Sequence, residues 1–379
     1  MYGISFYQNM LTIAILIASY IVISIVGCRK KEDFITVTAL FIWHTLFSVT
    51  YYLYSLANVA DATLYYARSV LGERTGFYPG TPFVNYFSSI LSQGADASYL
   101  NTTLLYNLVG TIGLVLLYLS LKKYFKAFSW YWIFILFIPS MSFWSAGLGK
   151  DSVSFFATCL FLYAITTSKR ASLLNIAIAF FFMFMVRPHI AALMIVSYVV
   201  YFIIKSKVHF IFKMFILPII GFGLFISVGF VQQYIGLDEA SLDSVSGYID
   251  GRQGLNSRGG SSLDIASMSY PMQMFTYIFR PLPFEASSAV ALVTSLENTI
   301  ILFLFIYILI KSKFNFRPFI QGKNLWLFTY VFITCSILAM TTANLGIATR
   351  QKWMFMPVLL YLLIYIYHDY KSNNSKVCK

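Results

Sequence analysis

Apolar runs of roughly 17–25 residues recur along the whole chain, separated by short polar or basic stretches. Eleven can be marked, at about 10–27, 35–55, 101–121, 128–146, 152–168, 172–187, 189–205, 209–230, 289–310, 324–342 and 352–368. An α-helix of that length crosses the hydrocarbon core of a bilayer. The short alternating segments of a transmembrane barrel are not visible. The pattern predicts an all-α, polytopic integral membrane protein with about 11 transmembrane helices, read as a single transmembrane domain over 1–379.

The polar intervals carry a second pattern. Arg29-Lys-Lys31 follows the first run, Lys122, Lys123 and Lys126 the third, and Lys169-Arg170 the fifth. Lys205 and Lys207 follow the seventh, Lys311, Lys313, Arg317 and Lys323 the ninth, and Lys371, Lys376 and Lys379 the eleventh. Every second loop is basic, as cytoplasmic loops are. Assigned this way, the inner side holds 18 Lys/Arg against 3 acids, and the outer side 9 against 11. The N-terminus is expected outside and the C-terminus inside. Two long loops, 56–100 and 231–288, fall on the outer face; the first is expected to hold a short interfacial helix, the second a Gly- and Ser-rich middle.

Composition agrees. Hydrophobic residues make up 59% of 379 and charged residues 11%, where a soluble domain carries about a quarter charged. The net charge of +13 is a topology signal and not a nucleic-acid surface. Cys28, Cys159, Cys335 and Cys378 form no CxxC pair, so neither a disulfide framework nor a zinc site is implied. Ile25-Val-Gly-Cys28 loosely resembles a lipoprotein box, but Arg29-Lys-Lys31 follows at once, so an uncleaved first helix is expected.

Three stretches place charge beside hydrocarbon: Ser142-Phe-Trp-Ser-Ala-Gly-Leu-Gly-Lys-Asp-Ser152, Val186-Arg-Pro-His-Ile190 and Asn344-Leu-Gly-Ile-Ala-Thr-Arg-Gln-Lys352. Ionised groups at that depth are costly and are kept for pairing or function. The topology assigns all three to the outer face, where they are expected to converge. Their cations Lys150, Arg187, Arg350 and Lys352, with Arg280, suit a diphosphate, because a guanidinium fork matches phosphate oxygens and stays charged. The acids Asp61, Asp151, Glu285 and Glu297 are the candidates to activate a sugar hydroxyl or to pair the cations. His189, the one outer-face histidine, is a further catalytic candidate.

Each residue has a structural reading as well. Asp151 suits a helix start through the macrodipole, with Lys150 its partner. Arg187-Pro188 can simply end a helix, with the guanidinium reaching headgroups. His189 can be a packed interfacial residue, Arg350 and Lys352 interfacial anchors, and Asp61 an ordinary loop aspartate. Glu297, inside an apolar run, needs a cation. No DxD, HExxH or His/Cys cluster appears, so no metal ligand and no cofactor is assigned; a divalent ion bridging the diphosphate is compatible but unsupported.

Taken together, Phe143-Trp-Ser-Ala-Gly-Leu-Gly-Lys-Asp151, Arg187-Pro-His189, Phe279-Arg-Pro-Leu-Pro-Phe-Glu-Ala286 with Ser295-Leu-Glu-Asn298, and Arg350-Gln-Lys-Trp-Met-Phe-Met-Pro357 resemble bacterial O-antigen or capsule repeat-unit polymerases (Wzy-type). These are loosely related to membrane glycosyltransferases of the GT-C kind. Asp61-Ala-x-x-Tyr-Tyr66 with Gly80-Thr-Pro-Phe83 looks like the first outer loop of that group. The resemblance implies a GT-C-like fold in the bacterial inner membrane and a polyprenyl-diphosphate-linked oligosaccharide as donor. A chain-length regulator would be a partner, beside the lipid bilayer itself. It places Asp61 as candidate base, and Lys150, Arg187, Arg280 and Arg350 as candidate diphosphate or sugar contacts.

Three alternatives stand beside it. A flippase or transporter would typically show inverted repeats, and none is evident. An O-antigen ligase uses the same donor and is not separated by sequence. An acyltransferase would need a His-based pair, for which His189 is the outer-face candidate; polymer made at wild-type level by His189→Ala, read on a polysaccharide gel, is the outcome expected if the protein is not an acyltransferase.

Overall fold

The computed structural model describes residues 6–127, 130–167, 172–205, 263–265, 267–286 and 288–377, with a few isolated positions between 208 and 251. Among these the secondary structure is helical, without a strand. Six helices are long and apolar enough to cross a membrane, or seven if one bent pair counts as a single span. The expected span at 209–230 and most of the loop 231–288 lie outside the described residues. Of the other ten, seven appear as helices at the expected places, one of them a 15-residue helix short of a full crossing. The remaining three differ, as follows.

Residues His189 onward and residues up to Pro188 form two compact units. The first holds α1 (Phe6–Gly27), α2 (Asp33–Ala57), α3 (Asp61–Leu71), α4 (Thr81–Ser92), α5 (Tyr99–Ala127), α6 (Pro139–Ser145), α7 (Lys150–Thr166) and α8 (Ser172–Val186). The loop 56–100 thus contains two short helices where one was expected. They are tied by Ser69 to Ser92 (3.0 Å), and α4 to α5 by the Tyr106 hydroxyl, which donates to Val84 O (3.2 Å). At the centre, α5 packs against α1, α2 and α7, which is why it shows no single polar face.

The run 128–146 is not one continuous helix. It is a 3-10 segment, Trp130–Phe137, followed by α6. Pro139 accounts for the break: it sits in the first turn of α6, where its missing N–H costs nothing, and holds Ile138 extended. A second interruption, Ala146–Gly149, separates α6 from α7 at a bend of 114°. Gly149, at φ +151, allows the chain to turn there. The expected span 152–168 is α7, starting at Lys150, but bent back on α6.

An interrupted helix in an apolar core exposes backbone groups that need partners. A buried polar network supplies them. His44 on α2 meets Asn107 Oδ1 (2.6 Å) and Thr111 Oγ1 (2.9 Å) of α5 through Nδ1, and Ser145 Oγ (2.8 Å) of α6 through Nε2. The Ser48 hydroxyl donates to Ala146 O (3.1 Å) at the interruption itself. Close approach is possible because α5 carries Gly110 here; a Cβ would lie 2.0 Å from Ser145 O. Small residues at helix crossings serve this purpose in membranes.

The second unit comprises α9 (Pro188–Lys205), α10 (Tyr270–Phe279), α11 (Ala289–Lys311), α12 (Asn324–Thr341), α13 (Leu345–Gln351) and α14 (Met356–Val377). Trp326 of α12 stacks with Tyr201 of α9 at 6.0 Å and donates its indole N–H to Met194 O (3.3 Å). Tyr330 donates to Met354 O (2.8 Å). The expected span 352–368 is shifted: Lys352–Met354 form a 3-10 turn and α14 begins at Met356. The turn is held by its own contacts, described below, and α14 runs on into a polar end at His368-Asp369.

Gly110→Ala is expected to destabilise the chain by about 1–3 kcal/mol through overpacking, read as a fall in unfolding temperature in detergent. Gly76→Ala, which meets nothing within 4 Å, should leave it unchanged.

Candidate functional sites in the two units

In the first unit the stretches 142–152 and 186–187 do meet. Arg187 donates Nη2–H to Asp151 Oδ1 at 2.6 Å, both side chains being only 11% and 13% exposed. Asp151 is in the first turn of α7, and Arg187 follows the last residue of α8, so the pair clamps the open end of that hairpin. The backbone N–H of Gly80, opening the Gly80-Thr-Pro-Phe83 motif, donates to Met185 O (2.8 Å) beside it. Beneath lies an aromatic floor. Tyr51 packs against the place where a Cβ on Gly147 would sit, and Phe143 lies edge-on to Tyr51, Tyr54 and Trp144 at 5.3, 5.4 and 5.0 Å.

Asp61 is exposed in the first turn of α3. Four residues on, and so on the same helix face, Tyr65 is buried with its ring 3.5 Å from a Cβ position on Gly149. The buried face of α3 thus reaches the turn that delivers Lys150 and Asp151 through Tyr65, with Asp61 exposed one turn before it. Lys150 is half-buried at the start of α7. His189 opens the second unit, in the first turn of α9 after Pro188, with Nδ1 buried.

In the second unit three separated motifs gather on one residue. Asn298 of α11 is fully buried; its Nδ2–H donates to Pro281 O (3.2 Å), and its Oδ1 accepts from Lys352 Nζ. It thereby joins the 279–286, 295–298 and 350–357 stretches. Lys352 is 0% exposed, with Nζ 5.7 Å from the Trp353 ring centre. The charge of the neighbouring Glu297 acts on its ammonium. Glu297 is itself buried. Arg350 is half-buried, two residues before, on α13.

Arg280 forms a fork with Glu285: Nε–H donates to Oε1 (2.8 Å) and Oε2 (3.1 Å), and Nη2–H to Oε1. Glu285 Oε2 also accepts from the Leu282 backbone N–H (2.7 Å). Burial alone would raise the Glu285 carboxyl; the Arg280 bonds and the Leu282 N–H outweigh it and hold it below the usual carboxylate range. A carboxyl lowered in this way adds stability above its unfolded titration range and loses it as pH falls through the folded value.

Among the described residues no group of three His, Cys, Asp or Glu side chains is placed to hold a metal ion. Sequence reasoning named every charged member of these clusters and missed Asn298, although an amide beside Glu297 in an apolar run was the signal. It also missed His44, which looked like one polar residue in a long apolar helix. No protein-family model, no curated protein and no solved structure matches the chain.

Removing one member of a buried ion pair leaves the other charge uncompensated, at a cost of about 3–5 kcal/mol. Asp151→Asn is expected to destabilise on that scale in a detergent unfolding titration, whereas Asp151→Asn combined with Arg187→Met should recover most of the loss. Equal stability of Asp151→Asn and wild type would mean the pair is not buried.

Proposed function

We propose that the protein is a membrane glycosyltransferase that polymerises polyprenyl-diphosphate-linked oligosaccharide repeat units of a bacterial surface polysaccharide, on the outer face of the inner membrane. The observation that carries this reading is Asn298, which draws the Arg280, Glu297 and Lys352 motifs of the family resemblance into one cluster of the second unit. Residues that are far apart in sequence and share a resemblance are more telling when they also share a place. The paired Asp151 and Arg187 in the first unit support it in the same way.

The chemistry asked of these groups is simple. A sugar hydroxyl of one lipid-linked unit attacks the anomeric carbon of another, and the bond from that carbon to the diphosphate oxygen breaks. The hydroxyl proton passes to a carboxylate, for which Asp61 is the candidate, and polyprenyl diphosphate leaves. Cations at a water-poor boundary stabilise the leaving charge. Lys150, Arg187, Arg280, Arg350 and Lys352 are the candidates; Glu285 and Glu297 hold the cations of the second unit in place. An eleven-span, GT-C-like arrangement belongs to the same proposal.

A strain lacking the gene, complemented with wild type, Arg350→Ala, Arg187→Ala or Asp61→Asn at matched membrane levels, tests it on a polysaccharide gel. The deletion should leave single repeat units on the lipid anchor, and wild type should restore the ladder. Asp61→Asn and Arg350→Ala should lower polymer at least tenfold. Polymer that still forms in the deletion, but stays unattached or inside, would move the function to a ligase or a transporter.

A further inference from the structure

At the turn between α1 and α2 an open cavity of about 520 Å³ is lined by Cys28, Arg29, Lys30, Lys31 and Phe34. Its shape is imposed by one carboxylate. Asp33 Oδ2 accepts from the backbone N–H of Arg29 (3.1 Å) and Lys30 (2.9 Å), while the same group takes Lys122 Nζ (2.8 Å) and the Tyr118 hydroxyl (2.7 Å) from α5. Asp33 is thereby saturated by backbone and by α5. The side chains of Arg29, Lys30 and Lys31 are exposed, and among the described residues none forms an ion pair with a carboxylate.

The walls next to these cations are apolar and open. Ile25 is 73% exposed, Phe34 52% and Ile35 77%, and the stripe continues down α1 through Ile21, Ile17 and Ile13, each a turn apart and each exposed. Three unpaired cations over a cavity, with an apolar stripe leading away from it, match an anionic headgroup whose acyl chains lie along the helices. Juxtamembrane basic pockets attract such lipids electrostatically. A free phosphate would use the cations but not the stripe.

We propose that this cavity is a specific site for the headgroup of an anionic phospholipid, with Arg29, Lys30 and Lys31 meeting the phosphate and Phe34 and Ile35 the first methylenes of its chains. Positive loops also set topology, so the test separates the two roles. The full chain, purified in detergent and delipidated, is titrated with phosphatidylglycerol, phosphatidylcholine or inorganic phosphate, and retained lipid is counted by native mass spectrometry. Phosphatidylglycerol should be retained at least tenfold better than phosphatidylcholine, and inorganic phosphate should not displace it. The triple variant Arg29→Gln, Lys30→Gln, Lys31→Gln should lose that preference. Phe34→Asp keeps every basic residue, leaves the topology signal intact and should lose it too. Lys311→Gln with Lys313→Gln, remote in sequence, should retain it. Equal retention of the two lipids by wild type, displacement by phosphate, or undiminished preference in Phe34→Asp would each overturn the proposal.

Discussion

A charge or an unpaired backbone group in hydrocarbon survives only where a partner has been built for it, and that requirement organises both units of this protein. Arg187 has Asp151, Arg280 has Glu285, Lys122 has Asp33. Lys352, with no exposed surface, has the amide of Asn298 and the field of Glu297. The Arg187–Asp151, Lys122–Asp33 and Lys352–Asn298 partnerships join segments far apart in sequence, so the polar minority does much of the work of specifying which helices lie together. Apolar surfaces cannot do this in lipid, because one apolar face resembles another.

The interruption at Ala146–Gly149 shows the requirement at backbone level. Pro139 and Gly149 break the helical path, and the break is tolerated because His44, Asn107, Thr111, Ser145 and Ser48 form a polar patch around it. Gly110 lets α5 come close enough for those bonds to form. The reward is positional. Lys150 and Asp151 emerge from the turn at a defined angle, with Tyr51 and Tyr65 against the turn's glycines, and Asp151 reaches Arg187 across the mouth of the α7–α8 hairpin.

The two clusters differ in how their cations are held. In the first unit the Arg187 guanidinium is paired with the Asp151 carboxylate. In the second, the Lys352 ammonium is held by the Asn298 amide with the charge of Glu297 acting on it, in the cluster that also holds the Arg280–Glu285 fork.

Hydropathy and charge alone determined that the chain is helical with several membrane-length segments, because burial in lipid is a property of consecutive residues and is written in local composition. They also picked out Lys150, Asp151, Arg187, Arg280, Glu285, Glu297, Arg350 and Lys352, since charge beside an apolar run is conspicuous. What they did not contain was the pairing. Asp151 had Lys150 as its obvious neighbour and bonds Arg187, 36 residues on; Lys352, read as a diphosphate contact or an interfacial anchor, is fully buried. The run at 128–146 looked continuous because Pro139 is one residue in an apolar stretch, and only the partners around it reveal that the helix breaks there. Asn298 and His44 were silent for the same reason: an uncharged polar side chain acquires its role from what folding brings to it, and that is decided by tertiary contacts at long sequence separation.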